Sequence, residues 1–261
     1  MSHKIKTLLL AILPVVTPVH SMLLDELALG YDYTDYSGGY GKRNVSQMGI
    51  KSLFNQGAMV ASLAQGYRDY GHGDSFHGSH GKATVWYDWN SVLSTRTGLS
   101  MGDNSPVFVR REIFSDFNLK PVKGAVLTLG GRHAQYYAGA EVNGWSVGGS
   151  LYHGPLILNY RYTGYNTSGV GSSYSHLVSA RLKDRSGRGY TQLYVGTGTG
   201  AYTYDWSPVV KNGKLHSISL KRSQPLTDKI SLDLVLAKQW FDTPVGSYNG
   251  INGQLGVVWA W

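Results

Sequence analysis

Apolar and polar residues alternate along the last eleven positions of the chain, 251–261. Ile251, Leu255 and Val257 share one parity with the two terminal tryptophans, whereas Asn252 and Gln254 take the other. Alternate side chains of a β-strand point to opposite faces, so one face of this segment is apolar and the other is small or polar. This pattern is typical of the closing strand of an outer-membrane β-barrel, which is apolar outside and polar inside.

Similar alternation recurs in fourteen segments along the chain. The predicted strands are 27–34, 45–53, 59–69, 82–89, 92–101, 108–119, 126–135, 144–152, 156–165, 174–182, 190–198, 215–222, 230–241 and 251–261. An even number of antiparallel strands closes with both chain ends on one side. We therefore expect an all-β, transmembrane, antiparallel up-and-down β-barrel of about fourteen strands, with periplasmic N and C termini. Merging the weak segments two, six or seven would give twelve strands.

The connections between these segments differ in length. Those after even-numbered strands are short, and several of those after odd-numbered strands are longer. Short turns of outer-membrane barrels are periplasmic and long loops are extracellular, which fixes the expected orientation. A soluble β-sandwich has similar alternation and turn spacing, but the leader described next and the aromatic residues at strand ends favour the membrane barrel.

The first residues have the pattern of a secretory signal. Lys4 and Lys6 precede an apolar run at 8–13, and small or short residues near Ser21 suit cleavage after that position. We expect residues 1–21 to be a cleavable signal peptide and residues 22–261 to be one barrel domain. The expected location is the outer membrane of a Gram-negative cell.

Composition supports an envelope barrel and excludes other classes. Aromatic residues make up 12% of the chain and charged residues 15%, with 34 Gly, 19 Tyr and no Cys. The charged fraction is well below the roughly 25% of an average soluble domain. The net charge of +8 comes without any Lys/Arg cluster, so nucleic acid is not an expected partner.

Five segments of the chain resemble the YaiO family of outer-membrane proteins. They are GYDYTDYS at 30–37, RDY at 68–70, DNSPVF at 103–108, GYTQL at 189–193 and GTGAYTYDW at 198–206. The resemblance implies an outer-membrane β-barrel of Gram-negative bacteria but no established substrate or cofactor. Outer-membrane lipid and the barrel-assembly machinery are the partners it implies. Similar barrels in exopolysaccharide export systems suggest saccharide passage by analogy only.

Many charged residues have the inward parity. The predicted lumen-lining residues are Arg68, Lys82, Arg96, Arg110, Arg132, Arg161, Arg181, Lys221, Asp88, Glu112, Asp116 and Asp233, and Asp32 shares their parity. Lys or Arg facing lipid at the bilayer midplane would cost about 2–4 kcal/mol, which requires inward placement.

Two hypotheses follow from the excess of cations over acids in this set. The leading one is a narrow, anion-preferring channel for small solutes or oligosaccharides, because guanidinium matches carboxylate geometry. The alternative is a non-conducting structural or interaction barrel, filled by Arg–carboxylate pairs. Pairing of Arg96, Arg132 and Arg161 with carboxylates across a closed lumen would contradict the channel.

Three further features of the sequence give less specific predictions. The segment 71–80 contains three His and an Asp, but no regular spacing, so we expect a solvated loop and no metal site. Tyr202, Tyr204 and Trp206 lie in the longest predicted loop, where they either pack over the barrel mouth or stack against sugars. The aromatics predicted to anchor the barrel at the membrane interfaces are Tyr31, Tyr33, Tyr36, Tyr87, Trp89, Trp145, Tyr160, Tyr162, Trp240 and Trp261.

An enzyme is the least favoured hypothesis. Membrane-embedded hydrolases need a Ser or Thr nucleophile with a His base in reach. His133, His176 and His216 lie on predicted strands, and the last two have the outward parity. Ser175 and Ser217 are their sequence neighbours and so point to the opposite face. We therefore expect no catalytic residues.

Overall fold

The chain forms a closed antiparallel β-barrel of fourteen strands, seen in a computed structural model that describes residues 23–199, 213–243 and 246–261. The first seven strands are β1 Leu23–Tyr36, β2 Lys42–Phe54, β3 Gly57–Asp69, β4 Ser75–Asp88, β5 Leu93–Gly102, β6 Arg111–Val122 and β7 Ala125–Gln135. The other seven are β8 Glu141–His153, β9 Leu156–Thr167, β10 Gly171–Lys183, β11 Tyr190–Thr199, β12 Lys214–Pro225, β13 Ile230–Thr243 and β14 Gly246–Ala260.

Each strand pairs with its sequence neighbours, and β1 pairs with β14 to close the barrel. The closing register sets Leu29 against Val257 and Asp32 against Gln254. Partners in register point to the same face, so the apolar pair faces outward and the polar pair inward. The alternation of the closing strand therefore has the predicted sense. Within the described ranges, no helix is long and apolar enough to cross a membrane.

The outer surface is an apolar belt. Leu63, Leu236 and Ile251 are each more than 60% exposed, and leucines, valines and aromatics on nearly every strand share this face. Apolar patches on a water-soluble monomer rarely exceed a few hundred Å². A belt that encircles the barrel is instead suited to lipid.

The fourteen-strand prediction is confirmed, and the three weak segments are complete strands. Most strands extend beyond their predicted bounds, as β1 does at Leu23 and β14 at Gly246, and two boundary errors changed the interpretation of a connection. The predicted loop at 71–80 is shorter, because β4 already begins at Ser75. Strand six was expected from residue 108 but begins at Arg111, because residues 103–109 form no regular strand, although Arg110 still hydrogen-bonds Gly102 and Gln135 on the neighbouring strands. Residues 1–21, with the predicted signal peptide, lie outside the described ranges.

Candidate functional site: the inner wall of the barrel

The strand register places most of the predicted charged residues on the inward face. Inward Thr84 and Trp86 alternate with outward Val85 on β4, and cross-strand pairing carries this parity around the barrel. The inward set on strands comprises Asp32, Arg68, Lys82, Asp88, Arg96, Glu112, Asp116, Arg132, Arg161, Arg181, Lys221 and Asp233. Arg110 lies in the connection before β6.

Asp116 is at the centre of the largest charged cluster on this wall. Arg161 donates two hydrogen bonds to its carboxylate, each 3.1 Å long, from three strands away. Arg96 on the neighbouring strand β5 lies 3.7 Å from the same carboxylate. The Asp116 side chain is 5% exposed, whereas the Arg96 and Arg161 side chains remain 40% and 36% exposed. Two guanidiniums thus share one carboxylate, and the cluster has one net positive charge.

Glycines make room for this arrangement. A Cβ added at Gly130 would lie 2.3 Å from Asp116 Oδ1, so only glycine lets the carboxylate lean over β7 towards Arg161. A Cβ at Gly148 would meet the backbone of β9 at Tyr160 and Arg161. The Asp116–Arg161 pair therefore runs along the wall and does not cross the lumen.

A second cluster joins β6 and β7. Arg132 donates to Glu112 at 2.7 Å and to the hydroxyl of Tyr136 at 2.8 Å. Tyr136 belongs to the connection after β7, and its burial raises the pKa of its phenol despite the opposing effect of Arg132. Tyr136 packs with Ala134 and Val142 in a small buried core. Arg132 is thus tied to a carboxylate and to a packed part of the barrel.

A third cluster lies on β10–β13. Lys221 forms an ion pair of 2.8 Å with Asp233, and Arg181 donates to the amide oxygen of Gln192 at 2.8 Å. The Arg181 guanidinium also lies 4.3 Å from the ring of Tyr190. Lys221 pairs with Asp233, whereas Arg181 is bonded to a neutral amide, so this side of the wall repeats the positive excess of the Asp116 cluster.

Three predicted lumen-lining residues are placed differently. Arg68 faces inward but is 2% exposed; it donates to the carbonyls of Tyr40, Lys42 and Asp69 and lies 4.2 Å from each of two tyrosine rings. It therefore packs the barrel mouth and does not line open space. Asp88 is at the opposite rim, 3.1 Å from Lys120. Arg110 lies directly before β6, where its backbone hydrogen-bonds Gly102 and Gln135.

The connection 103–110 folds into the barrel. Val107 is fully buried, and a Cβ added at Gly66 or Gly78 would meet its side chain at 2.6 or 3.1 Å. Phe108 stacks on His80 with ring centroids 5.2 Å apart. Sequence reasoning missed this insertion. The signal in the sequence was the apolar pair Val107 and Phe108, which follows Pro106 in the connection between β5 and β6.

Open space remains deeper in the barrel. Four inward side chains on widely separated strands are exposed, namely Gln47 on β2, Trp86 on β4, Leu177 on β10 and Gln254 on β14. A cavity of about 130 Å³ adjoins Arg161 and Leu177 on this wall. The described part of the interior is therefore not filled by side chains at this level.

Comparison with known proteins gives the family. Residues 24–205 match the model of the YaiO membrane beta barrel domain, which is more than half of the chain. The chain belongs to the YaiO family. It is thus an outer-membrane β-barrel, as the sequence resemblance implied.

Solved structures share the fold of this YaiO barrel at low identity. A bacterial polysaccharide outer membrane secretin matches with a TM-score of 0.59 and 10% identity, over 93% of this chain and 100% of that one. The CymD monoaromatic hydrocarbon channel matches at 0.60 and 8%, over 92% and 89%. An anion-selective porin from Comamonas acidovorans matches at 0.50 and 12%, over 92% and 99%. At such identities the likeness establishes a porin-like fold and no solute.

The outward face of the YaiO barrel holds the histidines considered for catalysis. His133 lies 2.8 Å from Asn143 Oδ1 and His176 lies 2.9 Å from the Tyr160 hydroxyl. His216 lies 3.0 Å from Thr197 Oγ1, a contact that nucleophilic catalysis would need. No carboxylate contacts His216 among residues 23–199, 213–243 and 246–261. Among the described residues, His216 therefore lacks the third group that orients a catalytic base.

The histidines of 71–80 separate between the two faces. His77 faces outward against Tyr67 and His80 faces inward against Phe108, because β4 extends through both. Across the described residues no group of three potential ligands could hold a metal ion.

One of the predicted membrane-interface anchors needs correction, since Tyr36 faces inward and is buried against Phe241. Tyr202, Tyr204 and Trp206 lie outside the described residues.

Proposed function

We propose that this YaiO barrel is a narrow, anion-preferring channel of the outer membrane for small solutes or oligosaccharides, and that it has no catalytic activity. The observation that carries the proposal is the Asp116 cluster, where two partly exposed guanidiniums share one buried carboxylate. The unbalanced positive charge attracts an anion by about 1 to 4 kcal/mol at contact distance, depending on how much water remains between the charges. In the third cluster, Asp233 neutralises Lys221, and Arg181, bonded to the neutral Gln192, adds a second positive charge.

The carboxylate pairs of Arg96, Arg132 and Arg161 bear on the filled-barrel alternative. All three arginines are paired, but their partners lie along the wall. The exposed Gln47 on β2 and Gln254 on β14 leave space elsewhere around the same interior. This combination supports a charged, open wall over a plug of paired charges at this depth.

A non-conducting structural barrel is the second candidate, and the mouth favours it. The inserted connection 103–110 and the buried Arg68 fill part of the interior beside β3 and β4. If this packing extends across the mouth, no ion passes.

Conductance of the refolded mature chain in a planar bilayer, under a salt gradient, separates the two candidates. We expect steady single-channel steps and a reversal potential that favours anions. Arg96→Gln with Arg161→Gln should reduce the chloride preference about fivefold, which corresponds to roughly 1 kcal/mol. Arg111→Gln is the matched control, because Arg111 is in the outward register of β6. A silent bilayer with folded, inserted protein would overturn the channel and support the structural barrel.

A further inference from the structure

Each guanidinium of the Asp116 cluster lies beside an exposed apolar side chain inside the barrel. Trp86 is the cross-strand partner of Arg96, with its ring centroid 5.9 Å from the guanidinium carbon. Leu177 is the cross-strand partner of Arg161. These apolar side chains are 38% and 42% exposed, although both have inward parity. The cluster therefore repeats one unit, a cation next to an apolar surface, on either side of Asp116.

The unit around Arg161 is a formed cavity. Its volume is about 130 Å³, and its lining includes Gly148, Arg161 and Leu177 together with hydroxyl and amide groups. Pockets for drug-sized ligands occupy roughly 300–1,000 Å³, so this one suits a single ring. Ser150 and Ser179 are held at its edge by hydrogen bonds with Asn159 of 2.6 and 3.0 Å.

The guanidinium of Arg161 keeps donors for a ligand. Its two contacts with Asp116 use one N–H of Nη1 and one of Nη2. A guanidinium has five N–H donors, so three remain. A carboxylate would be bound bidentately by such a group, and a ring attached to it would rest on Leu177 or Trp86.

We propose that the Asp116 cluster is a two-part binding site for short chains of carboxylated rings. Arg96 with Trp86 takes one ring, and Arg161 with Leu177 takes the next. This rests on the proposed channel for its biological meaning, but binding itself requires no conduction. The ring is either a uronic acid or an aromatic acid, since each has an apolar ring face and a carboxylate.

Isothermal titration of the refolded full barrel in detergent tests the site independently of conductance. Trigalacturonate should bind at least about tenfold more tightly than monomeric galacturonate, because two linked rings engage two units. Neutral maltotriose should bind about tenfold more weakly than trigalacturonate, because it lacks the charge for the guanidiniums. Benzoate compared with monomeric galacturonate distinguishes the aromatic from the uronic ring.

Substitutions then locate the binding. Trp86→Ala and Leu177→Ala should each weaken trigalacturonate binding by about tenfold, through the lost apolar contact. Trp145→Ala and Leu151→Ala are matched controls, because both residues face outward and are more than half exposed. Equal binding of monomer and trimer, or equal losses in the control variants, would overturn the two-part site. A silent bilayer with intact trigalacturonate binding would instead overturn only the channel.

Discussion

Two arginines on the inner face of this barrel have opposite surroundings. Arg68, at the mouth on β3, is 2% exposed and its guanidinium is held by backbone carbonyls and two tyrosine rings. Arg161, on the middle wall at β9, pairs with Asp116 and keeps 36% of its side chain exposed. Both residues have inward parity. Parity therefore determines the face on which a charge lies but not whether that charge is available to a solute.

Inward glycines explain the difference. At the mouth, Gly66 and Gly78 leave room for a whole connection, whose Val107 and Phe108 fill the space. On the middle wall, Gly130 leaves room only for the carboxylate of Asp116. The mouth is thus packed by backbone and aromatics, whereas the wall keeps its charged side chains at a surface.

The largest expected effect is the loss of stability in Arg68→Ala. The change removes the donor from buried carbonyl groups at the mouth and leaves a void between the rings of Tyr36 and Tyr70. We expect a loss of about 3 kcal/mol in the free energy of unfolding, since unsatisfied buried groups cost about 1–3 kcal/mol each. Urea unfolding followed by tryptophan fluorescence measures it.

Arg161→Ala is the comparison variant for this experiment. Asp116 keeps Arg96 as a partner, and Arg161 is partly exposed, so its loss should cost about 1 kcal/mol. If Arg161→Ala lowered the free energy of unfolding as much as Arg68→Ala, the different burial of the two arginines would not explain their different roles.

The sequence predicts the wall of this barrel better than its contents. Alternation along each segment is a local property, so strand number and the inward side of Arg96, Asp116 and Arg161 follow from it. The closing strand at 251–261 even gives the correct sense of its two faces. Strand ends are less well predicted, as the early start of β4 at Ser75 shows.

Contacts between distant strands could not be predicted from the same pattern. Asp116 and Arg161 are 45 positions apart and meet only because Gly130 lies between them in the folded wall. The insertion of 103–110 likewise depends on Gly66 and Gly78, which belong to strands earlier in the chain. Periodicity has no information about which small residues face a given charge or connection.

Displacing the inserted connection should give the next largest effect. A side chain in Gly66→Leu would collide with Val107 and Phe108, whose atoms lie 2.6 and 2.9 Å from the added Cβ. We expect overpacking to lower the free energy of unfolding by about 1–3 kcal/mol and to displace residues 103–110 from the barrel interior. Single-channel conductance should then rise, because the mouth widens.

Gly253→Leu is the matched control, since no atom lies within 4 Å of a Cβ added at that outward position. Its conductance and stability should equal those of the unchanged barrel. If Gly66→Leu left conductance unchanged while the connection became open to proteolysis, the insertion would not narrow the path.

The smallest effect is expected for an ion pair outside both regions. Asp184, in the turn after β10, accepts hydrogen bonds of 2.7 Å from each terminal nitrogen of Arg222, and these bonds lower the pKa of its carboxyl below the ordinary value of 3.8. Because the folded-state pKa is lowered, its stabilisation is complete above 3.8 and disappears as the pH falls through the folded-state pKa. Asp184→Asn should therefore lower the urea midpoint slightly at pH 7 and not at all in strong acid.

Asp228→Asn, which removes the fully solvated partner of Arg188, serves as the control with no resolvable change. If the urea midpoint of Asp184→Asn stayed lower in strong acid, the turn would depend on the shape of the Asp184 side chain and not on its charge. The exposed pair would then stabilise the barrel by packing, as the buried Arg68 does.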